Sequence, residues 1–470
     1  RPDRARTVGA APRRDAAPGC SGKGNRIGWV TVTVVVEPTE SFPYEIRSFP
    51  ARRSPEGTDT ATRKWIQAVL LGFHDSVGDD AAMEKFVESE EKDGRILSGA
   101  YTLASPEGAW DPEFPVATYA THRKTLNVGA GKLLPAHLIT AVTVRGTHRR
   151  RGLLRKLIST DLARARADGI AVAALTASEA TIYGRFGFGP ATHVRSLHVD
   201  TGPKFGFKRP HSGLSGVVEI ADPARLQELE PALFARLHAV SFGSIGRQDA
   251  YRYLASGAWT YEHPEPDKGV RTAVHYGPDG TPDGYVSYKF TGWDAPATVA
   301  VRDLLAASDQ AYLALWWYLG SIDLVQRVRW NRAPVQDPLE WALSDKRGYQ
   351  VKSVEDSLWL RILDTAAALD GRHYWADGAI TLSVTDPLGL AGGVFRLEVR
   401  DGRGTTTALD EGAPADLELG AAELASLYLS GVAARTLAAA GTLDELSAGA
   451  AARFDALFGA PMLPHSRTDF

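Results

Sequence analysis

Cysteine is almost absent from this chain of 470 residues, which contains only Cys20. A single cysteine cannot form a disulfide within the chain, and the Pro, Gly and Arg residues around Cys20 make it a poor catalytic nucleophile. The 12 histidines form neither a His-Glu-x-x-His motif nor a Cys/His ligand cluster. The sequence therefore argues against cysteine chemistry and predicts no metal site.

Long apolar runs and a strong net charge are also lacking. The formal net charge is −3, so the chain as a whole has no attraction for nucleic acid or for an anionic membrane. The apolar run from Ile27 to Val36 follows a basic segment, as in a signal peptide. However, no small-residue cleavage pattern follows it, and it is shorter than the ~20 residues of a membrane span. We expect a cytoplasmic protein with a disordered basic extension over residues 1–41, and neither nucleic acid nor a membrane as partner.

The length predicts about three domains, since a domain has ~150 residues on average. Residues 42–201 mix helical and strand patterns and end at a Gly- and Pro-rich stretch. Residues 205–345 contain a second strand, helix and strand, in which Ser308 is a plausible helix cap. Residues 350–470 contain short strands, the first from Leu358 to Leu363, separated by Asp-Pro and Asp-Gly turns, which predicts an α+β domain.

An arginine-rich turn joins an apolar strand to an amphipathic helix in the first predicted domain. The strand ends at Val144, Arg149-Arg150-Arg151-Gly152 follows, and apolar residues recur at helical spacing from Leu153 to Leu162. The first N–H groups of a helix lack intrahelical partners, and each arginine adds charge-assisted hydrogen bonds of roughly 1.5–3 kcal/mol. The turn therefore predicts a phosphate site, with a solvated basic helix start as the alternative. The apolar run from Ile170 to Leu175 favours the phosphate site, because it completes a strand, helix, strand unit of the kind that binds ligands at the carboxyl ends of its strands.

The second predicted domain has the same order of elements without the arginines. Its apolar helix from Tyr312 to Leu319 carries Trp316 and Trp317, which favour a core or subunit interface over a cofactor site. We therefore expect this domain to lack a functional cofactor site.

A tyrosine follows the second strand of the first domain. A helix can begin at Ser178, and Tyr183 then lies on its first turns, near the expected path of a bound cofactor. A phenol with a pKa near ~10 can give a proton to a leaving thiolate, which accelerates such a step roughly 10²- to 10⁴-fold. The alternative is an aromatic side chain packed against Phe186 and Phe188.

Two motifs together resemble the enhanced intracellular survival (Eis) acetyltransferases of actinobacteria, which belong to the GNAT superfamily. They are the run from Thr147 to Leu154 and the run from Ala177 to Gly187. Further agreement comes from Gln336-Asp337-Pro338-Leu339, from Leu358-Trp359-Leu360-Arg361-Ile362, from Gly420 with the helix that follows it, and from a chain that ends in Phe470. The resemblance spans roughly residues 45 to 470.

The resemblance implies an α/β (α+β) chain with two tandem GNAT-fold domains followed by a sterol-carrier-protein-like α+β domain, assembled into a homohexamer. It implies an acetyl-CoA-dependent N-acetyltransferase that acts on polyamines, notably aminoglycoside antibiotics, with lysine side chains as a further substrate class. It makes Tyr183 the general acid and the terminal carboxylate of Phe470 the general base. The cofactor-binding residues that it implies are Val142, Thr143, Val144, Arg150, Arg151, Gly152, Leu153, Leu154, Arg155, Ser178 and Glu179.

The amine pocket departs from the family pattern. Ala141 and Thr176 stand where the family has an aromatic residue and a histidine, so the width and polarity of the pocket should differ. Asp75 matches an acidic pocket position and could attract a substrate ammonium, with a solvated loop aspartate as the alternative. Two other functions remain open: a carrier of hydrophobic molecules built on the third domain, and a CoA sensor without catalysis. Neither requires an acid or a base, whereas Tyr183 and Phe470 supply both.

Overall fold

The computed structural model of the protein describes residues 34–36, 42–210 and 213–470. Most of the predicted disordered extension, 1–41, lies outside the described residues. Within it, only Val34–Val36 is described, as a strand that pairs antiparallel with the next one, and the disordered extension stays a prediction. No helix among the described residues combines the length and apolar character that a membrane crossing requires.

The described residues form 22 strands and 12 α-helices. The strands are β1 Val34–Val36, β2 Tyr44–Pro50, β3 Arg53–Ser54, β4 Gly57–Thr58, β5 Ile96–Thr102, β6 Ala117–Asn127, β7 Leu133–Val144, β8 Val172–Thr176, β9 Gly189–Pro190, β10 His193–Asp200, β11 Val217–Ala221, β12 Val270–Tyr276, β13 Pro282–Phe290, β14 Thr298–Ala306, β15 Arg327–Pro334, β16 Tyr349–Asp356, β17 Leu358–Ile362, β18 Gly378–Thr385, β19 Gly393–Arg400, β20 Arg403–Leu409, β21 Leu417–Gly420 and β22 Leu443–Glu445. The helices are α1 Thr60–Phe73, α2 Asp80–Lys92, α3 Leu153–Ala167, α4 Ala180–Tyr183, α5 Leu226–Val240, α6 Ala250–Ala255, α7 Asp309–Gly320, α8 Pro338–Ala342, α9 Thr365–Gly371, α10 Ala421–Leu427, α11 Ala434–Ala439 and α12 Ala450–Phe458.

Three large sheets organise these elements. The N-terminal sheet has the order β1-β2-β5-β6-β7-β8-β17-β9, the central sheet β11-β12-β13-β14-β15-β10-β16, and the C-terminal sheet β20-β19-β18-β21-β22. The first two sheets share a unit in which a long strand leads through a helix to a parallel neighbour: β7-α3-β8 and β14-α7-β15. A parallel pair requires such a crossover, and its helix buries an apolar stripe on the sheet. Both units agree with the strand and helix patterns of the sequence.

Two strands lie in sheets other than those that their positions in the chain suggest. Sequence analysis assigned the strand from Leu358 to the third domain, but β17 inserts between β8 and β9 of the N-terminal sheet. Conversely, β10 belongs to residues 42–201, yet it pairs with β15 and β16 in the central sheet. A strand can pair with any open sheet edge, however distant that edge is along the chain. The apolar pattern alone therefore could not show that β10 and β17 each lie in the sheet of another predicted domain. The limits 42–201, 205–345 and 350–470 stay predictions, since the sheets cross them.

The C-terminal sheet and its helices pack on the N-terminal sheet through one apolar core. Leu138 of β7 and Leu360 of β17 are fully buried in it, together with Leu382 of β18 and Tyr428 after α10. At the same contact, a Cβ atom on Gly189 would lie 2.0 Å from the carbonyl oxygen of Ala422. The C-terminal unit is therefore closely joined to the sheet that carries the candidate site.

Candidate active site

The strands β7 and β8 diverge at their carboxyl ends. They pair through three consecutive residues each, from Ala136 to Leu138 on β7 and from Val172 to Ala174 on β8. Beyond these pairs β7 continues to Val144 with no further partner on β8. The gap between the strands beyond Leu138 and Ala174 is called the first opening. Backbone groups of β7 that face it can hydrogen-bond a ligand, because neighbouring strand residues do not occupy them.

A bulge distorts β7 on its other side, next to the first opening. Thr118 of β6 pairs with Thr143 and Ala120 pairs with Thr140, so β7 has one more residue than β6 in this interval. Ala141 in the bulge has a φ of 52°, which is strained for a residue other than glycine. The Thr118 hydroxyl donates a hydrogen bond of 2.8 Å to the carbonyl of Ala141 and thereby supports this conformation. Bulges of this kind reorient a strand beside an active site.

The helix α3 begins directly after the arginine-rich turn, as predicted. Gly152 precedes it with a φ of 77°, a left-handed conformation that glycine adopts without strain. No side chain caps the start of α3, and its first turn contains no acidic residue. Arg150 and Arg151 are exposed, and Arg151 donates a hydrogen bond of 3.0 Å to the Tyr44 hydroxyl. Uncapped N–H groups, the positive end of the helix dipole and exposed guanidinium groups together suit a pyrophosphate.

The other predicted cofactor residues lie around the same opening. Val142, Thr143 and Val144 are half-buried at the end of β7, and Leu154 is half-buried in the first turn of α3, whereas Arg155 is exposed and Leu153 is buried. Ser178 and Glu179 are exposed just after β8. The fold therefore brings these residues together at one sheet edge, as expected for the carboxyl ends of parallel strands.

Tyr183 is buried at the end of the short helix α4, where its ring lies edge-on to Phe188 with centroids 6.1 Å apart. Burial, with a further contribution from the negative charge of Glu179, raises the pKa of Tyr183 to about 12. No other described residue forms a hydrogen bond with its hydroxyl. Tyr183 therefore packs against a neighbouring aromatic ring, as the alternative to a catalytic role predicted, and it is also a protonated phenol at neutral pH.

The chain terminus reaches the end of β8. The Thr176 hydroxyl donates a hydrogen bond of 2.5 Å to a terminal carboxylate oxygen of Phe470, and the Phe470 ring packs against the apolar core. Ser466 and Thr468, just before it, have no exposed surface. Most chain termini fray in solvent, but this one is held.

His122 lies beside the terminus and was not found by sequence analysis. Its ring is edge-on to that of Phe470 with centroids 5.9 Å apart, and 2% of the residue is exposed. Neither ring nitrogen has a hydrogen-bond partner among the described residues. Burial, helped by the positive charges of Arg95 and Lys124, holds the pKa of His122 well below its usual range, so the ring is neutral. A lone histidine within a strand carries no sequence signal for such a position.

Asp75 lies on the exposed loop after α1. This helix approaches β7 so closely that a Cβ atom on Gly72 would lie 2.5 Å from the Thr143 Cβ atom. The loop is thus near the outer end of the first opening, where the exposed Asp75 carboxylate forms no hydrogen bond or ion pair with another described candidate residue. Over residues 42–210 and 213–470, no three His, Cys, Asp or Glu side chains are grouped to hold a metal ion.

Family comparisons match three parts of the chain. Models described as "Acetyltransferase (GNAT) domain" match residues 56–191 and, separately, 243–362, and a "Sterol carrier protein domain" model matches residues 365–466. An uncharacterized N-acetyltransferase of Streptomyces griseus is 36% identical over 409 residues, which are 85% of this chain and 95% of that protein. N-acetyltransferase Eis of Mycobacterium tuberculosis is 34% identical over 378 residues, which are 79% of this chain and 89% of that protein.

This chain belongs to the Eis family of GNAT N-acetyltransferases. The crystal structure of Eis1 from Mycobacterium abscessus agrees with it at a TM-score of 0.71, with 28% identity over 91% of this chain and 100% of that one. The predicted family, fold class and N-acetyltransferase activity are confirmed. GNAT domains use acetyl-CoA, and in this Eis-family chain the uncapped start of α3 and its arginines fit that cosubstrate.

Proposed function

We propose that this protein transfers the acetyl group of acetyl-CoA to an amine of a polyamine substrate, with Tyr183 as general acid and the Phe470 carboxylate as general base. The observation that carries the proposal is the terminal carboxylate, held 2.5 Å from the Thr176 hydroxyl at the end of β8. A free terminal carboxylate is ionised at neutral pH, and this contact supports its role as a proton acceptor beside the first opening.

In the proposed reaction, acetyl-CoA supplies an acetyl group as a thioester, whose C–S bond breaks as the new N–C bond forms. The Phe470 carboxylate accepts a proton from the attacking amine, directly or through water. A terminal carboxylate has a reference pKa of ~3.3–3.7 and is ionised at neutral pH. Tyr183 donates its proton to the departing thiolate, so that charge and protons balance.

The turn before α3 holds the far end of acetyl-CoA in this proposal. The pyrophosphate lies on the N–H groups from Leu153 onwards and on the guanidinium groups of Arg150 and Arg151. Val142 to Val144, with Ser178 and Glu179 across the opening, line the path to Tyr183.

The proposed substrates are cationic amines with several amino groups, such as aminoglycoside-type antibiotics, with lysine side chains as a second proposed class. Asp75, exposed after α1, would attract the ammonium groups. The neutral His122 ring would accept or donate a hydrogen bond where the substrate meets the terminus, because its nitrogens have no described partner. The family likeness further supports a cytoplasmic homohexamer and a role in antibiotic resistance as proposals.

A panel of amines tests the proposed function. Free CoA thiol is measured with an aminoglycoside, a linear polyamine, a lysine peptide and a monoamine, and we expect faster release with the polyamines. Asp75→Asn should raise KM for the polyamine but not for acetyl-CoA, whereas Asp410→Asn, an exposed aspartate after β20, should change neither. Acetyl-CoA binding without thiol release on any amine would favour the sensor or carrier functions instead.

A further inference from the structure

The central sheet contains an opening of the same construction as the first one. Strands β14 and β15 pair through three residues each, from Thr298 to Ala300 and from Arg327 to Arg329, and β14 then continues to Ala306 with no further partner on β15. A register shift also lies on the other side of β14, where Ser287 pairs with Asp303 and Tyr288 with Val301. The gap between β14 and β15 beyond these pairs is called the second opening.

The helix that follows β14 is closed to a phosphate group. The Ser308 side chain accepts a hydrogen bond from the N–H of Ala311, which caps the helix, and Asp309 adds a negative charge to the first turn. The Ser308 hydroxyl in turn donates to the Asp283 carboxylate at 3.0 Å. An occupied helix start with two carboxylates repels an anion, in contrast to the start of α3.

The chain's own terminal tail, residues 464–470, lies at the second opening. Arg467 donates a hydrogen bond of 3.4 Å to the carbonyl of Leu304 on β14, and its guanidinium lies 6.0 Å from the centroid of the Trp330 ring on β15. The His465 ring donates to the carbonyl of Arg332, also on β15, at 3.2 Å. The tail therefore contacts both strands that border the second opening.

Further contacts fix the two residues before the terminus. The Tyr251 hydroxyl accepts the N–H of Asp469 at 2.7 Å and is 3.4 Å from the carbonyl of the same residue. The Arg332 guanidinium pairs with the Asp469 carboxylate, and the Thr468 hydroxyl donates to the carbonyl of Ile245 at 3.2 Å. All of these partners belong to the central part of the chain.

Tyr251 is itself held by a buried charge network. The Arg247 guanidinium lies 4.2 Å from the centroid of the Tyr251 ring. Arg247 donates hydrogen bonds of 2.8 Å to the carboxylates of Glu230 and Asp303, and 2% of its side chain is exposed. A rigid support of this kind limits the motion of the tail bonded to it.

We propose that the central GNAT domain binds the terminal tail and holds it in a fixed position. The residues that contact the tail, Ile245, Tyr251, Leu304, Trp330 and Arg332, are together called the socket. In place of a cosubstrate, the second opening receives residues 465–469, and the socket holds the Phe470 carboxylate at the first opening. Tyr251 is a positioning residue that acts through Phe470 and touches no substrate. The inference rests on the proposed function, because holding Phe470 in place affects catalysis only if its carboxylate is the general base.

Tyr251→Phe tests the socket, since it keeps the ring and removes only the hydroxyl. We expect kcat to fall roughly 10- to 100-fold, as small misplacements of a catalytic group can do, with KM for acetyl-CoA unchanged. The matched control is Tyr428→Phe, which removes a buried hydroxyl that donates a hydrogen bond of 2.8 Å to the carbonyl of Ala368 and not to the tail. It should leave kcat at the wild-type value.

Carboxypeptidase A supplies a readout that does not depend on activity. The rate at which it releases Phe470 as free phenylalanine should rise several-fold in Tyr251→Phe and not in Tyr428→Phe. Equal release from wild type and Tyr251→Phe would overturn the socket.

Deletion of Phe470 separates failure of the socket from failure of the proposed base. If Tyr251 acts through Phe470, Tyr251→Phe should not lower the residual kcat of the deletion variant further. If Tyr251→Phe lowered kcat by the same factor in the full chain and in the chain without Phe470, its effect would not act through Phe470, and the inference would be contradicted. A deletion variant with wild-type kcat would instead refute the terminal base itself.

Discussion

At the scale of single residues, burial decides the protonation state of Tyr183. A phenol whose pKa is raised to about 12 remains protonated at any pH at which the protein is assayed. The same burial makes its ring part of the apolar core. Burial is therefore consistent with a role in packing as well as with the proposed role in catalysis. Only a variant that keeps the ring can distinguish them.

Tyr183→Phe is therefore expected to lower kcat roughly 10²- to 10⁴-fold without a comparable loss of thermal stability. Because an acid with a pKa of about 12 does not ionise near neutral pH, the wild-type rate should rise as the amine loses its proton and should not fall again below pH ~10. Steady-state kinetics from pH 6 to 10 measure both. Wild-type turnover in the variant would leave Tyr183 with packing alone.

The arginines before α3 are exposed, so their effect should appear in binding and not in stability. Arg150→Ala combined with Arg151→Ala should raise Kd for acetyl-CoA by about tenfold or more, since each charge-assisted hydrogen bond contributes roughly 1.5–3 kcal/mol. Arg166→Ala, an exposed arginine in the last turn of the same helix, is the control and should leave Kd unchanged. Calorimetric titration measures the difference. Unaltered affinity in the double variant would remove the pyrophosphate assignment.

At the scale of secondary-structure elements, β17 links the N-terminal sheet to the C-terminal unit. Its Arg361 side chain is fully buried and donates hydrogen bonds of 2.7 and 2.6 Å to the two carboxylate oxygens of Asp386. Asp386 also accepts the N–H groups of Leu388, Leu390 and Ala391. Burial alone would raise the pKa of Asp386, but these hydrogen bonds outweigh it and hold the pKa below its usual range.

Asp386→Asn should destabilise the protein by about 3–5 kcal/mol, because it leaves the Arg361 charge buried without a counter-ion. Since the folded-state pKa of Asp386 is depressed, its contribution is fully present above the unfolded pKa of ~3.9 and is lost as the pH falls through the folded value. The difference from wild type should therefore shrink only below pH ~4. Thermal unfolding between pH 3 and 7 checks this, with Glu398→Gln, in an exposed pair with Arg396, as the control. A loss as small as that of the control would contradict the bridging role.

The sequence predicts local elements of this fold better than their pairing. Apolar spacing placed a helix after Gly152 and a strand near Ile170, and the structure has α3 and β8 there. The cap predicted at Ser308 is also present. The positions of β10 and β17 could not be predicted, because the partner of a strand depends on which sheet edge is open in the folded chain.

The same distinction holds for the candidate site. The turn from Arg149 to Gly152 follows from residue chemistry, because arginines and glycine before a helix suit an anion. The positive φ of Ala141 and the unpartnered ring of His122 depend on contacts between distant strands and have no local signature. Phe470 was proposed as base from the family likeness alone, and its hydrogen bond with Thr176 forms only when distant parts of the chain have assembled.

At the scale of the whole molecule, the two GNAT domains differ in what fills their openings. The first has an uncapped helix start with arginines, whereas the second has a capped, acidic one and the terminal tail. The last residue of the C-terminal unit thereby returns through the central domain to the N-terminal sheet. In the proposed mechanism catalysis depends on all three units, and we expect only the first to bind acetyl-CoA.

The central claim, that the terminal carboxylate is the base, is tested most directly by a chain that ends in a carboxamide, prepared by ligation of an amidated C-terminal peptide. Amidation removes the negative charge and keeps the Phe470 ring and the chain length. We predict that kcat falls roughly 10²- to 10⁴-fold relative to a chain ligated in the same way with a free carboxylate. Affinity for acetyl-CoA should stay within about twofold, since the arginine turn is untouched. A carboxamide chain with the kcat of the carboxylate chain would contradict the account.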